Sequence, residues 1–195
     1  MQFYFFLLAL SPAAGLNLFA GRYRDETLIY DLYLDDTPLT PAVTIQEVMA
    51  ATNEWNMLFP EPKLELNGLF YNMPCPDDSE MKVICFTPNV DYAAISLLYP
   101  YLEAEDKTGF AILINPAAAS TPKMLYNLLL HELGHALLLD HDDKSNIMGN
   151  IVSKNAGGTY VPVYERKTLN DDDQNAIDAK WGKSKNTCSC SCACD

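Results

Sequence analysis

The sequence predicts an α+β (mixed α/β) domain, with a twisted, mixed five-stranded sheet, two backing helices and a further helix near the C-terminus. Three observations predict it. Five short runs of strand formers are spread between residues 28 and 114. Two longer segments repeat apolar residues at helical spacing and carry start and stop signals. The run Phe110 to Ile114 is apolar without interruption, which suits a strand buried on both faces.

Leu28 to Leu34 is rich in strand formers and reads as the first strand, broken by Pro38 and Pro41. Thr44 with Glu47 has the spacing of a capping box. Val48, Ala51, Trp55 and Leu58 then recur at helical spacing up to Pro60, so a helix is expected over 44–59. Leu64 to Leu66 reads as a short second strand and Met81 to Thr87 as a longer third. Ala93 to Tyr101 is ambiguous, with Pro100 demoting its end to an edge or a loop. After Phe110 to Ile114, Ser120 or Thr121 caps a second helix with Pro122 near its first position. That helix runs through Leu128, His131 and His135. Residues 142–168 lack periodicity and read as a long loop. Asn170 caps a third helix with Asp173, Ile177 and Trp181 in series, closed by Gly182.

With 195 residues, 49% hydrophobic and 20% charged, the chain can bury a sizeable core and is not a disordered one. Lys and Arg number 13 against 26 Asp and Glu, a net charge of −13. Such a surface suits neither a phosphate backbone nor an anionic membrane, so nucleic-acid partners and stable membrane association are not expected. The first 20 residues carry no charge. The apolar run Phe3 to Leu10 is followed by Ser11, Pro12 and Gly15, which reads as a secretory signal peptide, 1–20, cut after Gly15 or after Ala20. Its opening Met1-Gln2 lacks a basic residue, and a buried N-terminal strand is the other reading. Six cysteines in a secreted chain suggest disulfides, and no Asn-x-Ser/Thr site occurs. Residues 21–182 form the expected domain and 183–195 a Cys-rich tail.

The chemistry concentrates in residues 131–141, which read His-Glu-Leu-Gly-His-Ala-Leu-Leu-Leu-Asp-His and hold the only three histidines of the chain. One turn apart on a helix, His131 and His135 can bind one ion. Glu132 is adjacent but turned from the ligand axis, placed to hold a water rather than the metal. His141 can return to the ion only if the helix stops near Leu137 to Leu139. Three neutral nitrogens leave a fourth position open, the arrangement of a catalytic zinc site.

This segment resembles the zinc signature of the metzincin metallopeptidases, especially their matrixin branch. The likeness extends to Met148 of Ser145-Asn146-Ile147-Met148, which sits where the methionine turn beneath the metal is expected. It extends also to the Trp55 helix and to Leu169-Asn170-Asp171-Asp172-Asp173-Gln174-Asn175-Ala176-Ile177 with Trp181-Gly182, which resembles a matrixin closing helix. The resemblance implies a secreted, monomeric zinc endopeptidase in which Glu132 is the general base and extended protein or peptide substrates lie between a sheet edge and the 149–165 loop. It also implies that Asp172 or Asp173 pairs with a cationic N-terminus, and that Glu103, Glu105 and Asp106 could bind calcium, although a solvated acidic loop is the simpler reading.

The sequence departs from the family at several points. Leu138 stands where metzincins usually carry Gly, and a left-handed Leu costs roughly 1–2 kcal/mol. No histidine remains for a structural zinc, and no Tyr follows Met148 at the fifth-ligand position. With about 20 residues ahead of the domain, no separate prodomain is expected. Pro74-Cys75-Pro76-Asp77 looks superficially like a cysteine switch, but lies inside the domain and reads as a disulfide or free loop cysteine. The tail Cys188, Cys190, Cys192 and Cys194 could bind soft metal, cross-link chains or pair with Cys75 and Cys85. Two other functions remain open: a catalytically inactive zinc-binding decoy or interaction module, and a redox or metal-sequestering protein acting through its tail.

Overall fold

The computed structural model describes residues 19, 21–23, 25–61, 63–76, 81–100, 106–141, 147–149, 152–154, 160–162 and 167–182. The chain folds as β1 (Leu28–Tyr33), α1 (Pro41–Asn56), β2 (Leu64–Phe70), β3 (Lys82–Phe86), β4 (Ala94–Tyr99), β5 (Gly109–Ile114), a single 3-10 turn (Pro116–Ala119), α2 (Pro122–Ala136), β6 (Val152–Lys154), β7 (Tyr160–Pro162) and α3 (Asp171–Trp181). The first five strands make one mixed sheet in the order β2-β1-β3-β5-β4. The pairs β1–β2, β1–β3 and β3–β5 are parallel, and only the edge strand β4 runs antiparallel, to β5. The expected α+β class and five-stranded mixed sheet are both present.

Helices α1 and α2 cover one face of the sheet, and the main core fills the space between with Tyr30, Leu32, Trp55, Ile112, Ile114, Leu125 and Leu129. Trp55 is wholly buried, and its indole N–H donates to the Leu130 carbonyl at 2.8 Å, locking α1 onto α2. A smaller cluster of Tyr33, Val83, Cys85 and Ala111 lies on the other face. There Cys75 is joined to Cys85 of β3 by a disulfide. Cys75 is therefore not a free thiol able to block a metal. Among the described residues, no helix is long and apolar enough to cross a membrane.

Several expectations are corrected. Helix α1 begins at Pro41, not Thr44, because the fixed φ of proline suits the first helical position. Thr44 and Glu47 are buried inside it instead of forming a capping box; Thr40 takes the cap position without a side-chain bond. The helix stops at Asn56 rather than 59, where the Asn56 amide binds the Leu64 carbonyl and accepts from the N–H groups of Lys63 and Leu64. Strand β2 reaches Phe70, well past Leu66, following β1 through a register shift at Tyr30/Asp31. The stretch 142–168 is not loop throughout, since β6 and β7 pair within it as a small antiparallel ribbon.

At the C-terminal end, Asn170 caps α3 in a reciprocal box with Asp173, and Gly182 closes it at φ 86°. Asp173 is buried and accepts from the Asn170 N–H at 2.9 Å. Residues 1–18 and 20 of the expected signal segment, the tail cysteines, and Glu103 and Glu105 lie outside the described residues. Asp106 lies 3.5 Å from the Arg22 guanidinium. Lys180 of α3 donates to the carbonyls of Phe19 and Gly21, and Tyr23 stacks on Trp181. The segment from Phe19 to Tyr23 is thus strapped onto α3.

Trp55→Phe removes the indole bond to Leu130 and leaves a void between α1 and α2. It should lower stability by about 2–3 kcal/mol. A urea titration checks this as a fall in midpoint at unchanged slope.

Candidate metal centre

Helix α2 starts where the Thr121 hydroxyl accepts from the Met124 N–H and Pro122 occupies the first turn, so Thr121 rather than Ser120 is the cap. Every residue from Met124 to Ala136 is buried. Leucines dominate that stretch, and His131, Glu132 and His135 are set among them.

The helix ends in a tight left-handed turn. The N–H of Leu138 donates to the His135 carbonyl at 2.8 Å and that of Leu139 to the Gly134 carbonyl at 3.0 Å, the paired bonds of a Schellman motif. Leu138 sits at φ 67°, the left-handed position that glycine usually fills. It is also fully buried. Backbone strain and core packing therefore coexist at this residue, whereas the sequence presented them as alternatives. Burying a Leu side chain contributes about 1.5–3 kcal/mol, enough to offset roughly 1–2 kcal/mol of strain. The turn has two outside supports: its Leu138 carbonyl accepts from the Phe19 N–H at 3.0 Å, and the Leu137 carbonyl accepts from the Trp181 indole at 3.0 Å.

Because the helix stops there, His141 comes back to the pair. Its ring centroid lies 4.7 Å from that of His135 and 5.2 Å from that of His131. The ligand atoms of the three histidines all fall within 4.8 Å of one another. His131 and His135 are buried, while His141 is exposed.

Hydrogen bonds fix how the buried rings present themselves. His131 Nδ1 lies 2.7 Å from the Ile147 carbonyl and His135 Nδ1 lies 2.8 Å from the Leu139 carbonyl. A carbonyl only accepts, so each Nδ1 carries the hydrogen and each neutral ring keeps its lone pair on Nε2. Those two Nε2 atoms face each other at 3.1 Å. Burial and the neighbouring imidazoles push His131 well below its ordinary pKa, and burial with the His141 ring takes His135 down to about 4, so neither ring carries a second proton near neutral pH. Two lone pairs in that position repel unless a cation sits between them. Two ligands of a tetrahedral zinc, at 2.0–2.1 Å from the ion, stand roughly 3.3 Å apart. The donor set and its spacing therefore fit a nitrogen-preferring cation such as zinc.

Ile147 and Met148 form the floor. Met148 is buried. A Cβ on Gly134 would lie 2.4 Å from Met148 Sδ and 3.0 Å from Trp55 Cζ2. The bare face of Gly134 is what admits Met148 beneath the histidines. One Glu132 carboxylate oxygen accepts from the Ser96 hydroxyl of β4 at 2.7 Å. Burial raises the Glu132 pKa to about 7, with the Ser96 bond acting against the rise.

The structure thus brings together the three predicted ligands and sets Met148 beneath the helix that carries two of them. Three contributors were not singled out from the sequence: Ser96, Gly134 and the Phe19 main chain. A lone hydroxyl inside the apolar run Ala93 to Leu98 was the available signal for Ser96. Gly134, as a glycine in a helix interior, was the signal for close packing.

Two substitutions test this geometry. Gly134→Ala should cost about 1–3 kcal/mol by overpacking and, by displacing the Met148 segment that orients His131, weaken the affinity for any ion held by the three histidines roughly 10–100-fold. Leu138→Gly should lower stability by about 1–2 kcal/mol, since lost packing exceeds relieved strain, yet leave the affinity of the three histidines for an added metal ion unchanged. Urea midpoints and chelator competition measure both variants.

No protein-family model matches this chain, and no curated protein matches it. What it holds is a cluster of three histidines, His131, His135 and His141, that resembles a zinc site and could hold a metal ion.

Proposed function

We propose that this protein is a secreted, zinc-dependent endopeptidase of the matrixin-like metzincin kind. The observation that carries the reading is the convergence of His131, His135 and His141 around one point, with Glu132 as the next residue on the same buried helix. A bare metal-holding site has no need of a buried carboxylate at that position.

His131, His135 and His141 would hold zinc, and zinc there would supply the Lewis acidity that polarises a scissile carbonyl and acidifies water. The chain's own residues do the rest. The Ile147 and Leu139 carbonyls keep both buried rings in the tautomer that offers Nε2. The Glu132 carboxylate accepts a proton from the attacking water and passes it to the leaving nitrogen. The outer side of β4, at the sheet edge, offers main-chain groups to an extended peptide, which would add as a further strand. The Cys75–Cys85 disulfide is compatible with an oxidising, extracellular setting.

Glu132→Gln is expected to keep zinc and lose turnover by several orders of magnitude. Metal analysis and hydrolysis of a quenched peptide library, with and without a chelator, are run on the same samples. Near-wild-type hydrolysis by Glu132→Gln, or wild-type hydrolysis that survives chelation, would overturn the reading.

A further inference from the structure

Strand β4 presents two rows of side chains. Leu97 and Tyr99 pack on the outer cluster, while Ala94 and Leu98 pack on the main core beneath α2. Ser96 belongs to the inner row, half-buried and paired with Ile112 of β5. Its hydroxyl is directed at helix α2, where it lies 2.7 Å from Glu132 Oε2 and 3.1 Å from the Glu132 carbonyl. A hydroxyl carries one hydrogen, and the shorter, charge-assisted contact is the carboxylate.

We propose that Ser96 is a positioning residue for Glu132, holding Oε2 against the sheet so that Oε1 is the oxygen that moves the proton. This rests on the reading of Glu132 as general base. A carboxylate on a two-methylene stem can otherwise rotate about its terminal bonds. One anchored oxygen removes that freedom, and the aim of the other oxygen is then set before substrate arrives. The anchor comes from the same strand whose outer side would receive the peptide, so the base and the substrate share one rigid support.

The test compares Ser96→Thr with Ser96→Val in the full chain. The two side chains are nearly the same size, and only Thr keeps the hydroxyl, so general damage to β4 affects both. The Val variant is expected to show kcat about tenfold or more below the Thr variant, the scale of one hydrogen bond to a charged group. KM and zinc affinity should agree between the two within about twofold. In the metal-free chain, the infrared carboxylate band of Glu132, isolated by subtracting the Glu132→Gln spectrum, should shift in the Val variant and stay in place in the Thr variant. In a Glu132→Gln background, Thr and Val should behave alike. Equal kcat for Thr and Val with an unshifted band, while Glu132→Gln is inactive, would overturn the role of Ser96 alone. Full turnover by Glu132→Gln would remove the general-base reading and this proposal with it.

Discussion

Helix α2 is buried from Met124 to Ala136, so each polar group it carries has to be satisfied from inside the protein. The surrounding architecture supplies those partners. The ring nitrogens of His131 and His135 donate to carbonyls that exist only because the chain turns back at Leu139 and passes beneath at Ile147. Glu132 finds its donor on the edge strand. Asn127, also buried, accepts from the Lys167 N–H at 3.0 Å, which brings the segment before α3 alongside the helix. The same burial that makes these groups costly is what lowers the proton affinity of the histidines and leaves their lone pairs for a cation.

Much of this was legible in sequence where a local rule governs. The ligand spacing of His131, His135 and His141 needs only helix geometry and a stop, and the stop falls where the three predicted residues Leu137 to Leu139 stand. Asn170 reads as a cap and is one, and the structure adds Asp173 as its reciprocal partner. Thr44 with Glu47 has the same kind of signature and is not a cap. There the proline three residues earlier starts the helix, and tertiary packing then buries both side chains. Long-range pairing was the least legible. Gly68 and Asn67 obscure the alternation of β2, and a register shift in its partnership with β1 removes a strict period of two. The β6–β7 ribbon is three residues a side, too short for periodicity to register. Ser96 becomes visible only when β4 is laid against α2, since 36 residues separate it from Glu132 in sequence.

The strap at Phe19 ties the end of α2 to the segment ahead of β1. Its N–H holds the Leu138 carbonyl, its ring lies 5.6 Å from that of His135, and its carbonyl is bound by Lys180. If the chain carried a leader cut after Gly15, these contacts would be kept. If a leader were cut after Ala20 they would be lost, and Lys180 would keep only its bond to the Gly21 carbonyl. Two such products with identical histidines would then differ in how firmly His141 is held near the other two. The place of such a cut would then decide, through one strained leucine, how firmly the chain is returned to the histidine cluster.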